Sequence, residues 1–294
     1  MKVICSFLAA VLMLVYFSSC QKGIDWELED IVTNDSTDLS KIVVLDTTLA
    51  TGQDTLFLLN FYYDNQKRKS GEDFTEIDNS TGMRYTFYYR YFYNNNDTML
   101  YRAYEKYSFS SDSLISHLSY ANNFIVKDST VDFISGSIDD IQVVYYSIIS
   151  ASRYLRRFVR YDPISGASTS LDSTHYHRTV NAGNLISGTD STWQNAGTPI
   201  LTRANSFQYT YDNKQNPLAP LSLWYLGYYE NFDDQVFIDM GVNNLLSARF
   251  DNLLPPTSSE SQNYSHIYNS LNYPMISIVN GGDGNKALYF YTRL

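Results

Sequence analysis

Cysteine is almost absent: the chain has two, Cys5 and Cys20, and none after residue 20. Disulfides and thiolate metal sites are thereby excluded from the body of the protein, which must be held by its core alone. Basic charge is also short, with 21 Lys and Arg against 31 Asp and Glu, a net charge of −10. That balance argues against nucleic acid and anionic lipid surfaces as electrostatic partners. There is no nucleophile elbow, phosphate loop, zinc-protease helix or dinucleotide fingerprint. The one marked apolar run, Val3 to Val15, is too short to span a bilayer as a mature helix. Glycine (14) and proline (7) are outnumbered by 27 Tyr and 16 Phe.

Tyrosine favours pleated, half-buried surfaces, where the ring packs and the hydroxyl reaches water. An aromatic platform for a ligand is the alternative use of such a surplus. From Leu39 onward the pattern is strand, turn, strand. Thr55 to Tyr63 places Phe57, Leu59, Phe61 and Tyr63 on one face, and Tyr85 to Tyr93 does the same with Tyr85, Phe87, Tyr89, Tyr91 and Tyr93. Asn94 to Asp97 supplies turn residues, and Thr98 to Tyr107 reads as the returning strand. The basic stretch Arg153 to Arg160 reads as the solvated face of a strand. A short helix is expected over Leu218 to Tyr229, where Leu221, Trp224, Tyr225 and Tyr228 fall at helical spacing. Leu254 to Ser261 reads as a loop.

The first twenty residues carry an address. Lys2, the apolar run, and then Phe17-Ser18-Ser19-Cys20 resemble the signal peptide and lipobox of bacterial lipoproteins, with Phe17 in place of the usual aliphatic residue. That resemblance implies cleavage before Cys20, a lipid on its thiol, and a mature net charge of −11 once Lys2 is lost. With Gln21 rather than Asp after the cysteine, it further implies the outer membrane, on the periplasmic face or the cell surface. Residues 20–38 are acidic and read as a tether, with Trp26 either hanging in it or docking back on the domain. Residues 39–294 then form a single domain, preceded by the signal at 1–19.

One unit recurs along that domain: an aromatic strand end, then Asp or Asn, then a polar turn. It stands at Tyr63-Asp64, Tyr93-Asn94, Tyr161-Asp162, Tyr211-Asp212, Phe250-Asp251 and Tyr268-Asn269. The ring pairs across strands while the Asx side chain starts the turn. With Phe207 to Leu218 as its best stretch, and Tyr268 to Pro274 and Gly281-Gly282-Asp283-Gly284 near the end, the chain resembles Tyr-Asp-repeat (Rhs-like) hairpin proteins and uncharacterised Bacteroidota lipoproteins built from such hairpins. No catalytic residue carries over from them. The expected fold is all-β: a twisted antiparallel sheet of successive hairpins, curled or doubled into a sandwich or open barrel, since an open aromatic sheet would aggregate.

Candidate chemistry is sparse. His175 and His177 share a strand face, but no third metal ligand lies nearby. Glu72-Asp73, Asp139-Asp140 and Asp233-Asp234 are adjacent carboxylates, which point to opposite strand faces and cannot act as an acid–base pair. No cofactor is expected. Asp followed by Ser or Thr at Asp35, Asp46, Asp54, Asp97, Asp112, Asp128, Asp172 and Asp190 resembles the O-glycosylation motif of exported Bacteroidota proteins. The same dipeptide also simply opens strands after turns. Two functions stay open: a lipid-anchored, non-enzymatic envelope module contacting a glycan or a protein, and a polysaccharide or peptidoglycan hydrolase whose carboxylates the fold brings together. A cleft with two carboxylates roughly 5 to 10 Å apart would mark the hydrolase. A transmembrane barrel is disfavoured by the lipobox and by the ending Thr292-Arg293-Leu294.

Overall fold

A computed structural model describes residues 38–46, 54–94, 99–121, 124–150, 152–194, 198–218, 241–280 and 285–292. The signal, Cys20, the tether up to residue 37, the expected helix from residue 219 onward, and the Gly281 to Gly284 turn lie outside them. So do Asp35, Asp97 and the Asp233-Asp234 pair.

The described chain is strand throughout, with turns between. β1 is Asp38–Asp46, β2 Asp54–Tyr63, β3 Lys69–Asp78 and β4 Met83–Tyr93. β5 is Leu100–Tyr107, β6 Ser113–Ala121, β7 Phe124–Ile134 and β8 Ser137–Ser150. β9 is Arg153–Tyr161, β10 Ser168–Asn181, β11 Asn184–Gln194 and β12 Ile200–Gln215. β13 is Asn243–Asn252, β14 Ser258–Tyr268, β15 Pro274–Asn280 and β16 Lys286–Thr292.

Every strand pairs antiparallel with the next, and β16 pairs back on β1, with Val43 opposite Leu288 and Leu39 opposite Tyr291. The described strands therefore form a closed barrel of sixteen: the expected all-β antiparallel sheet of successive hairpins is present, and its curling goes on to full closure rather than stopping at a sandwich or open barrel. Closure removes both exposed edges, the liability that the open forms would leave. The first strand begins at Asp38, inside the segment read as tether. Leu218 lies in a turn, and β14 starts at Ser258, which shortens the expected loop.

Burial identifies the inner face. A concave wall crowds its side chains and a convex one splays them. On β6, Ser116 and Leu118 are buried while His117 and Ser119 are exposed; on β10, Thr174 and Tyr176 are buried while His175 and His177 are exposed. Leu218, leaving β12, belongs to the same cluster as Leu39, Ile42, Tyr289 and Tyr291 of β1 and β16, which it reaches across the ring rather than around it. Following the strand registers from these residues assigns the aromatic face to the lumen, including Phe57, Leu59, Phe61 and Tyr63 of β2 and the five aromatics of β4.

Cross-strand aromatic pairs hold the inner face together. Phe57 stacks on Phe74 at 5.4 Å, Phe74 meets Phe87 at 5.7 Å, and Phe87 packs edge-on to Tyr107 at 5.4 Å. Each such pair adds about 0.5–1.5 kcal/mol beyond area burial. The outer face is held by polar ladders: the Thr75 and Thr86 hydroxyls meet at 2.9 Å, and Arg90 pairs with Asp73 at 2.8 Å.

The Asx turns form as the aromatic–Asx unit predicts. The Asp64 carboxylate accepts the amides of Gln66 and Arg68, Asp162 those of Ile164 and Ser165, and Asn269 those of Leu271 and Tyr273. In the Phe250-Asp251-Asn252 unit the turn is started by Asn252, which accepts the Leu254 amide.

Candidate functional site

Odd-numbered strands start, and even-numbered strands finish, at one end of the barrel, here the lower rim. Between β12 and β13 this rim carries residues 216–242, of which 219–240 lie outside the described residues. The base of that insert is a lattice of amides. The Asn216 Nδ2 donates to the Gly241 carbonyl at 2.9 Å, Asn184 Nδ2 to Asn243 Oδ1 at 2.8 Å, and Asn243 Nδ2 to the Lys214 carbonyl at 2.9 Å. The Asp212 carboxylate accepts the amides of Lys214 (2.8 Å) and Asn244 (3.1 Å) and the hydroxyl of Tyr268. Gly241 is required for close approach: a Cβ there would stand 2.4 Å from Asn184 Oδ1 and 2.8 Å from the Tyr211 ring.

Against this base opens a cavity of about 750 Å³, lined by Asn213, Lys214, Gln215, Asn216, Val242, Asn243, Leu271 and Asn272. Two bonds tie its sides across the rim, Lys214 Nζ to Asn272 Oδ1 at 2.6 Å and Tyr273 OH to Gln215 Oε1 at 2.7 Å. No carboxylate is among the described residues that line it. Amides both donate and accept, and the Lys214 ammonium adds donors, so such a wall suits a ligand rich in hydroxyls. The unit Tyr211 to Pro217 was legible as a turn, and Asn243-Asn244 stood out after the insert. The sequence signal for the cavity is the density of Asn and Gln on both sides of that insert.

The lumen holds a second set of polar groups, on the wall from β5 to β12. Arg178 lies between the rings of Tyr176 and Phe207, 4.6 Å from each, and pairs with Asp190. Asp140 pairs with Arg160 at 3.0 Å. Burial pushes the Asp128 carboxyl up to about 7, against the opposing pull of the Thr130 hydroxyl and the Arg156 guanidinium. Burial also raises Glu105, which the hydroxyls of Tyr107 and Tyr89 partly offset. The charge acting on Asp128 is thus an arginine, not a second carboxylate.

The expected site residues are spread around the ring. His175 and His177 do share a face, exposed on the outer wall, and no group of three metal-ligating side chains occurs among the described residues. Glu72 faces the lumen, where Lys69 and Tyr91 bind it, while Asp73 faces out to Arg90; Asp140 faces in and Asp139 is exposed. The stretch Arg153 to Arg160 is not a wholly solvated face: Arg157 is exposed outside, but Arg156 and Arg160 face the lumen. In the Asp-Ser/Thr dipeptides at Asp128, Asp172 and Asp190 the carboxylate faces in and the following Ser faces out, within strands rather than at their start. Asp112 and Asp54 do stand at strand starts, and Asp46 ends β1.

No known family matches this sequence, and no curated protein sequence does. The fold is similar to that of a porin-like protein from Bacteroides vulgatus, with a TM-score of 0.50 at 8% identity, over 87% of this chain and 99% of that one. A porin-like protein from Bacteroides uniformis aligns over the same shares at 8% identity with a TM-score of 0.47. At that identity the likeness concerns the fold.

The outer wall is mixed, with Phe92, Val131, Ile141, Val143, Leu155 and Val159 facing outward among charged side chains. A membrane-spanning barrel carries an outward apolar band about 25 Å tall, and each Arg or Lys at its midplane costs about 2–4 kcal/mol. Here Arg90, Arg102, Lys127, Arg157 and Arg249 face outward from within their strands, together with His117, His175, Thr189, Gln208 and Ser261. The lumenal face is no better suited to lipid, since Asp128, Arg156, Arg178 and Asp190 lie within it. No helix among the described residues is long and apolar enough to cross a membrane.

Proposed function

We propose that this chain is a lipid-anchored, non-enzymatic barrel of the bacterial outer membrane. It stands in water beside the bilayer and binds a glycan, or a protein partner, at its lower rim. The observation that carries this reading is the amide-lined cavity of about 750 Å³ beside Leu271 and the Tyr273–Gln215 bond. Its neutral donors and acceptors match sugar hydroxyls, and an apolar side chain offers a surface for a sugar's C–H face. The lipobox-like Phe17 to Cys20 supports attachment through a lipid on Cys20, and the arginines and lysine within the outer wall support a barrel that does not itself span.

A hydrolase remains the competing reading, because Asp128 has the raised pKa of a general acid. It lacks the second carboxylate among the charges acting on it, and its hydroxyl neighbour is Thr130. The two readings separate in one experiment: the purified protein is titrated with a panel of neutral and acidic oligosaccharides while the reducing ends released are counted. Binding that weakens in Gln215→Ala and Asn272→Ala, with melting temperature held and no release, is the expected result. Release of reducing ends that Asp128→Asn abolishes would replace the binding reading by the hydrolase.

A further inference from the structure

The hydrogen bonds of the rim cavity leave donors over. Asn216 and Asn243 are spent on the base. Asn216 donates to the Gly241 carbonyl and accepts the Leu218 amide; Asn243 accepts from Asn184 and donates to the Lys214 carbonyl. The two bonds across the rim use up acceptors. Asn272 turns its Oδ1 to the Lys214 ammonium, which can only donate, and Gln215 gives its Oε1 to the Tyr273 hydroxyl. What this trio has left are the NH2 groups of Asn272 and Gln215 and the remaining N–H bonds of the ammonium, none of which has a partner among the described residues.

Charge is one-sided as well. Lys214 is the sole ionised side chain among the described residues that line the cavity, and its partner, Asn272 at 2.6 Å, is neutral. Asp212, the closest acid along the chain, is taken up by the Lys214 and Asn244 amides and the Tyr268 hydroxyl.

We propose that Lys214 is the subsite for an acidic group, carboxylate or sulfate, on the glycan that the rim binds; the proposal rests on the reading of the rim as a glycan site. The oxygens of such a group only accept, so they match a wall of unspent donors, and hydrogen bonds to a charged acceptor are the stronger kind. The donors are preset on both sides. Asn272 holds a left-handed backbone (φ 65°) in a turn whose Asn269 accepts the Leu271 and Tyr273 amides, and the Lys214 backbone is fixed at both its amide and its carbonyl. Leu271, 42% exposed, offers an apolar surface to the C–H face of the same sugar. The net charge of −10 repels an acidic glycan at long range, so a preference for one must come from this contact.

The test titrates the full chain with trigalacturonate, its fully methyl-esterified form and a sulfated galactotriose, beside the neutral sugars of the panel. Trigalacturonate or the sulfated sugar is expected to bind at least about threefold tighter than the neutral ester, and the tighter of the two tells carboxylate from sulfate. Lys214→Gln should bring the acidic sugars to the level of the neutral one, with melting temperature held, while Lys214→Arg should keep the preference. Equal affinities in the wild type, or a preference that survives Lys214→Gln, would overturn the subsite and leave the rim a glycan site. Binding of neutral sugars alone would do the same. If no sugar bound, the subsite and the reading it rests on would fall together.

Discussion

The hydroxyl of Tyr63, the last residue of β2, donates to the carbonyl of Leu39 near the start of β1 at 2.6 Å, 24 positions back along the chain. The same relation joins Tyr93 to Lys69 (2.8 Å), Tyr120 to Leu100 (2.6 Å), Tyr211 to Leu185 (2.8 Å) and Tyr291 to Pro274 (2.7 Å). In each case the tyrosine stands in the closing residues of an even strand, toward the lower rim, and closes the mouth of its own hairpin. The carbonyls there lie at ladder ends, where a strand partner runs out, so the phenol supplies the missing donor.

Removing one such hydroxyl should therefore cost stability without changing the fold. Tyr211→Phe is expected to lose about 1 kcal/mol, the net worth of one hydrogen bond, and Tyr211→Ala several times that through the lost ring. Urea denaturation of the two variants checks the order; equal midpoints for wild type and Tyr211→Phe would show that the bond contributes nothing.

Asp212 gathers the Lys214 and Asn244 amides and the Tyr268 hydroxyl, and so fixes the base of the insert. Asp212→Ala leaves those donors without their acceptor and should cost about 2–3 kcal/mol, more than a single turn bond. If Asp212→Ala melted like wild type but lost ligand binding, the carboxylate would be a contact residue rather than a structural one.

The raised pKa of Asp128 gives stability a pH dependence of known sign. The folded value of about 7 lies above the ordinary 3.8, so between those values the folded chain keeps a proton that the unfolded chain releases. That contribution is lost as pH rises through about 7. Asp128→Asn stays neutral throughout, so its melting temperature should gain on wild type from about pH 4 to about pH 7 and hold level above that. A gap independent of pH would mean that Asp128 titrates normally.

Gly188 sits where the inner wall is tightest: a Cβ there would stand 2.3 Å from the Phe207 ring and 2.5 Å from the His177 carbonyl. Gly188→Ala should destabilise by about 1–3 kcal/mol, the cost of overpacking, and should loosen the Arg178–Phe207 contact. Near-ultraviolet circular dichroism of the variant would register the change in aromatic packing; an unaltered spectrum with unaltered stability would contradict it.

Attachment has its own check. A palmitate analogue fed to cells should label wild type and not Cys20→Ala, whereas equal labelling of both would remove the anchor from the account.

The alternation of Tyr85, Phe87, Tyr89, Tyr91 and Tyr93 was enough to place a strand and the residues that share its inner face, and the Asx residues at 64, 162 and 269 marked their turns. A period of two says which residues share a face, but not which strand closes the ring. The contact that makes the barrel, Val43 against Leu288, joins residues from opposite ends of the domain and leaves no local trace. Arg178 and Asp190 show the same limit at the level of charge. Each lies in a strand of mixed polarity, and only the β10–β11 pairing brings them together between Tyr176 and Phe207. The rim cavity is assembled from residues on either side of the insert and on the β14–β15 turn, so no single motif announces it.

On the proposed reading the barrel stands in water, held to the membrane from outside its own wall. Site-directed labelling tests it most directly: His117→Cys, His175→Cys, Gln208→Cys and Arg249→Cys, one at a time in the full chain, are exposed to a membrane-impermeant maleimide in opened, detergent-free membrane fragments. Ile164→Cys on a 96% exposed turn residue serves as the reference. All four wall positions are expected to label as readily as the reference. Protection of the four until detergent is added would show that the wall is buried in lipid and that the barrel spans the membrane.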